Sequence, residues 1–150
     1  MTRLLQSAVV ALALLATQAT WAHETRQEKI NKQAAIAFYE ALINQKDFEA
    51  ASKYLGNRYV QHNPMAPDGV EAVKQITQML KEKFPQQHNE IKHVFVDGDY
   101  VILHVHSLRE PNTRGRAIVD IYKMENGKVV EHWDVIQDVP ENPKNNNGMF

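Results

Sequence analysis

Beyond the N-terminal 22 residues the spacing of apolar residues changes once, at Pro85, and that change restricts the possible folds more than any other feature. Before Pro85, apolar side chains recur every three to four residues. Ile30, Ala34, Phe38, Ala41 and Leu42 share one face of a helix predicted over residues 26–45. Asp47 is the expected N-cap of a short second helix ending at Leu55, with Phe48, Ala51 and Leu55 on its buried side. Asn63 precedes a proline, so residues 57–64 cannot continue that helix. Val70, Val73, Thr77, Leu80 and Phe84 mark a third helix, which Pro85 stops.

Beyond Pro85 the period is two. Residues 91–96 and 100–108 flank Asp97-Gly98-Asp99, and residues 116–124 and 129–137 flank Asn126-Gly127. Both are hairpin signals, and the segment 111–115 joins them. Three helices followed by two hairpins predict an α+β domain in which an antiparallel sheet wraps around helices.

The N-terminus follows another pattern. Arg3 is the only charged side chain before His23, residues 4–16 are mostly apolar, and small residues lead to Thr20-Trp21-Ala22. A short basic start, an apolar stretch and a small residue before polar sequence predict a secretory signal peptide cleaved after Ala22, with Ala19 as the alternative. The stretch falls short of the roughly 20 apolar residues that a spanning helix needs. The expected division is therefore a leader over 1–22, one domain over 23–138 and a loose tail over 139–150. Export to the periplasm or medium follows, with no stable membrane anchor after cleavage. Removing the leader removes Arg3 alone, taking the formal charge from −1 to −2. Such a balanced chain carries no basic stripe for nucleic acid. It also has no cysteine, which excludes disulfides, thiolate metal sites and a cysteine nucleophile.

Candidate chemistry lies on the predicted strands. Successive side chains alternate across a strand, so Ile102, His104 and His106 share one face and Val101, Leu103 and Val105 the other. On the next long strand, Ile118, Asp120 and Tyr122 oppose Val119 and Ile121. Asp120 sits between apolar neighbours. Facing a cavity, it would be raised in pKa by desolvation and lowered by an adjacent imidazolium, a balance suited to accepting a proton near neutral pH. Facing water on a half-exposed sheet, it would be an ordinary surface carboxylate. His104 and His106 could orient a carboxylate, donate to a substrate oxygen or shuttle a proton; equally, they could be satisfied imidazoles that anchor the sheet. With His62, His132 or a carboxylate they could complete a zinc or iron site. No tight helical histidine pair accompanies them, and no metal is expected. Tyr59-Val60-Gln61-His62-Asn63-Pro64 brings hydrogen-bonding groups to a rigid turn where a pocket rim would form. Glu131-His132-Trp133-Asp134 puts two residues on each face of the last strand, so one pair must point inward; Trp133 alone reads as core packing.

Together these residues resemble the SnoaL-like polyketide cyclase family of the nuclear transport factor 2-like superfamily. The likeness runs from Lys29 to Gln137. Its carriers are the Tyr59–Pro64 motif, Gly69, His104-Val105-His106, Val119-Asp120-Ile121-Tyr122 and Glu125-Asn126-Gly127-Lys128-Val129-Val130-Glu131-His132-Trp133-Asp134. The resemblance implies a cone of strongly curved antiparallel sheet closed by three helices, with an internal pocket. It also implies that Asp120 is the acid/base of an intramolecular aldol closure, that His106 is its histidine partner and that His104 is a polar pocket residue, with no metal or cofactor. The expected function is an exported, cofactor-independent acid/base enzyme of aldol cyclase, isomerase or lyase type. It would act on a small, largely apolar carbonyl compound. Asp120 and His106 would be catalytic, and His104, His62, Tyr59, Trp133 and Asp134 would shape the pocket. An exported module that binds a small ligand in the same pocket without turnover is the rival. A third reading makes the polar residues structural and a sheet or helix face a dimer contact, since dimers are common in this superfamily.

Overall fold

The structure, a computed structural model, describes residues 23–150; the leader expected over 1–22 lies outside the described residues. The first helix, α1 (Arg26–Tyr39), begins at a capping box. Thr25 Oγ1 accepts from the Glu28 amide, and the Glu28 carboxylate accepts from the Thr25 amide. Phe38 and Ala35 are fully buried, as the helical spacing requires. Ile30 instead points outward at 41% exposure, while Asn31 is buried and donates through Nδ2 to the Gly98 carbonyl at 3.2 Å. The expected helix end is π-helical over Glu40–Asn44. That wider turn directs Asn44 to the strand that follows the third helix, where its side chain both donates to and accepts from the Asn89 backbone. Helix α2 (Phe48–Ser52) is capped by Asp47, and α3 (Val70–Lys83) ends one residue before Phe84.

Four strands occupy the positions that alternation predicts: β2 (His88–Asp97), β3 (Tyr100–Leu108), β4 (Arg116–Glu125) and β5 (Lys128–Asp138). A further strand, β1 (Leu55–Gln61), forms where sequence predicted only a helix end and a loop. It pairs parallel with β5, so the expected antiparallel sheet is instead mixed, in the order β1-β5-β4-β3-β2. Only Leu55 and Tyr59 of β1 are buried, which is why it lacks a readable alternation. The sheet is curved and open, and α1 fills its concave side. Phe38 there joins Val101, Leu103, Val105, Tyr122 and Met124 in one core.

Two registers decide what faces that core. Between β3 and β4, Leu103 pairs with Asp120, His104 with Val119 and His106 with Ala117. Odd residues of β3 therefore share a face with even residues of β4. Between β4 and β5, Met124 pairs with Val129, but Lys123 pairs with Glu131. The skipped Val130 is a bulge, and it moves His132 opposite Tyr122 and Asp134 opposite Asp120. Past β5, residues 139–150 form no regular element, and the Phe150 ring lies 4.4 Å from that of His106. Among the described residues no helix is long and apolar enough to cross a membrane.

Candidate active site

Asp120 projects from β4 into the core at 6% exposure. Its Oδ1 lies 2.9 Å from His132 Nε2. The other imidazole nitrogen, Nδ1, is 3.0 Å from Gln61 Oε1, and that oxygen also accepts from the Asn63 amide at 2.9 Å. A backbone N–H requires an acceptor, so the Gln61 oxygen and not its NH₂ faces Asn63. His132 Nδ1 must therefore carry a proton. One further proton then bridges Nε2 and Oδ1, either as a neutral acid beside an imidazole or as a carboxylate beside an imidazolium.

The net effect of the surroundings is toward the neutral acid. Burial pushes the Asp120 carboxyl above the ordinary carboxylate range, and nearby Asp134 adds to the rise. The hydrogen bond and charge of His132 pull it back down. His132 is stacked between two aromatic rings, Tyr122 at 5.0 Å and Tyr59 at 6.3 Å. Burial, and then the Asp120 charge, hold the phenols of Tyr39, Tyr59 and Tyr122 well above the usual tyrosine range. They remain protonated donors. Asp120 Oδ2 is buried and, among the described residues, has no hydrogen-bond partner. A buried polar atom left in that state costs about 1–3 kcal/mol.

Asp134 faces the same side as Asp120, and both its oxygens accept from Asn63 Nδ2, at 2.9 and 2.7 Å. Asn63 in turn accepts from the Met65 amide, which fixes its orientation. The Tyr59–Pro64 motif thus contributes a ring against His132, an acceptor for its Nδ1 and a donor for Asp134. Ligand atoms of Asp120, His132 and Asp134 lie within 4.8 Å of one another, close enough to be considered as a metal set. However, Nε2 and Oδ1 are engaged with each other, and Asn63 occupies both Asp134 oxygens. A metal would have to displace these bonds.

Of the residues singled out from sequence, Asp120, Asp134 and Tyr59 converge here, and the other four do not. His106 stands on the outer face, where its Nε2 donates to the Arg114 carbonyl at 2.9 Å. The pairing of Asp120 with His106 implied by the resemblance is therefore not formed, and His132 takes that place. His104 is also on the outer face, with its Nδ1 3.2 Å from His93 Nδ1. His62 stacks on Trp133 at 4.3 Å and approaches Glu131, again outside. Gln61 stands in the sequence only as a member of its motif, and His132 as that and as a candidate metal ligand, not as the partner of Asp120.

A curved, open mixed sheet packed by helices, with a buried carboxylate–imidazole pair on its inner face, defines an α+β class of protein. The cavity of about 790 Å³ in this structure opens at the β3–β4 end and is not lined by the pair. The SnoaL-like polyketide cyclase family profile matches residues 33–141, and the chain belongs to that family. No curated protein matches it. Among solved structures it is similar to TsrD from Streptomyces laurentii, with TM-score 0.60, 19% identity and coverage of 76% of this chain and 91% of that one. It is also similar to a candidate polyketide cyclase from Bacillus cereus, with TM-score 0.62, 23% identity and coverage of 71% and 74%. A candidate ketosteroid isomerase from Kribbella flavida gives TM-score 0.63, 15% identity and coverage of 79% and 86%. At these identities the likeness establishes the fold alone.

Proposed function

We propose that this protein is an exported, cofactor-independent acid/base enzyme that moves a proton at a carbon next to a carbonyl. The observation that carries the reading is the buried Asp120–His132 pair with a free carboxylate oxygen. With the bridging proton on His132, Asp120 is a carboxylate whose Oδ2 accepts the C–H proton. The electron pair of that bond moves into the carbonyl and leaves an enolate. Protonated phenols around Asp120, those of Tyr59 and Tyr122, are the donors for the developing oxyanion in a water-poor site. Returning the proton at another carbon completes an isomerisation; attack of the enolate carbon on a second carbonyl forms the C–C bond and an alkoxide, and return of the proton from Asp120 to that oxygen completes an aldol closure. Shifting one proton between Nε2 and Oδ1 converts Asp120 from base to acid without changing the charge of the pair. Membership in a cyclase family supports the reaction class, and the N-terminal pattern supports export.

Deuterium uptake at the α-carbons of 2-decanone and 9-oxodecanoate in D₂O, followed by NMR, tests it. Exchange above the buffer rate should fall by about 100-fold or more in Asp120→Asn, the scale of a lost general base. Equal exchange by Asp120→Asn rejects Asp120 as the base. Binding of the probes with no exchange by the native protein establishes the non-catalytic module instead.

A further inference from the structure

The inner face of the sheet continues beyond the acid/base pair toward the β3–β4 connection. There Ser107, Arg116 and Asp138 are register partners on adjacent strands, one step past Ile118 and Ile136, which are partners in turn. A cavity of about 790 Å³ opens at this end, and its lining includes Ser107, Arg109, Arg114 and Arg116. Ser107 is fully buried, and its hydroxyl has no hydrogen-bond partner among the described residues. Arg114 donates to the Pro140 carbonyl. Arg109 is held over the Phe84 ring at 4.5 Å, and among the described residues neither it nor Arg116 makes an ion pair or side-chain hydrogen bond. The two guanidiniums feel each other: burial first, and then the charge of Arg116, lowers the pKa of Arg109. Two guanidiniums without side-chain partners beside an unsatisfied buried hydroxyl leave donors free for an anionic oxygen.

We infer that this cavity receives a carboxylate of the substrate, which is an amphipathic monocarboxylic acid whose apolar body spans Ile118 and Ile136 to place its reacting carbon at Asp120. The inference rests on the acid/base reading only for the reacting end. Its anionic end rests on the arginines. Glu110, Asp138 and Glu141 line the same cavity and offset its three arginines in formal charge, which disfavours a phosphate dianion more than a monoanion. Arg116 and Asp120 are four residues apart on one face of β4, about 13 Å at strand rise. An acid with seven or so carbons between its carboxylate and the activated position bridges that length.

Calorimetric titration with 9-oxodecanoate, 2-decanone, acetate and inorganic phosphate tests the inference. The keto acid should bind about tenfold or more tighter than the ketone, the scale of one charge-assisted hydrogen bond. Arg109→Met/Arg116→Met should abolish that preference, whereas Asp120→Asn should keep it. Arg109 is exposed, so Arg109→Met alone carries the test if the double variant does not fold. Equal affinity for ketone and keto acid, or a preference that survives loss of the arginines, overturns the anionic site. Acetate or phosphate binding as tightly as the keto acid overturns the bridging geometry. Exchange without a preference leaves the acid/base reading standing alone; a preference without exchange leaves the anion site standing without the catalysis.

Discussion

Gln61 decides the proton arrangement of the site without touching Asp120, because its carbonyl oxygen answers both the Asn63 amide and His132 Nδ1. Gln61→Leu removes the acceptor and frees His132 to take the other tautomer. Exchange should fall by roughly tenfold, the worth of one net hydrogen bond, and the pH profile should shift. A purely structural role would lower the melting temperature and leave that profile in place. Asp120 makes a separate prediction. Its folded-state carboxyl is raised by burial, so the folded protein keeps a proton that the unfolded chain has released above the ordinary carboxylate range. The stability linked to this group is complete below that range and is lost as pH rises through the folded value. Relative to Asp120→Asn, the melting temperature of the native protein should therefore decline from pH ~4 upward. Two thermal melting series across pH check it, and parallel curves would place the carboxylate in water.

At the scale of elements, the site depends on one extra residue. The bulge at Val130 places His132 and Asp134 on the concave side; without it Trp133 would stand opposite Asp120. Gly56 of β1 supports that bulge, because a Cβ there would lie 2.7 Å from Val130 Cγ1. Gly56→Ala should cost about 1–3 kcal/mol, as overpacking does. Val130→Ala removes the clashing atom, so the double variant should lose less than the two single losses combined. Denaturant unfolding of the four proteins measures the coupling, and strict additivity would deny the contact. The same bulge explains what could and could not be read from sequence. Helices and hairpins were legible because period and turn residues are local, and Asp120 was legible because its neighbours are apolar. Its partner was not. That choice hangs on the odd register across the β3–β4 connection and on the slip at Val130, neither of which marks the alternation of the strands themselves. His104 and His106 do alternate as read, but on the face that Phe150 and His93 approach. Strand β1 carries no alternation in the sequence because only two of its side chains are buried when it pairs parallel with β5.

For the whole molecule, a cleaved leader requires that the chain beginning at His23 fold unaided. The first described turn has its own local fastening. Thr25 and Glu28 cap α1, and the second Glu28 oxygen accepts from the Gly98 amide at 3.0 Å, tying the helix start to the β2–β3 turn. These bonds hold the Glu28 carboxyl below the ordinary carboxylate range. Asn31 reaches the same turn one helical turn later, so the N-terminus of the domain is fastened twice to the far end of the sheet. Protein lacking residues 1–22 should melt with the full-length chain, and material exported by a bacterial host should begin at His23 by intact mass. Truncation to Lys29 removes the cap and the Glu28 tie while keeping Asn31, and should lower the melting temperature. A large loss from the first truncation would show that residues 1–22 belong to the folded protein, and the proposal of export would fall with it.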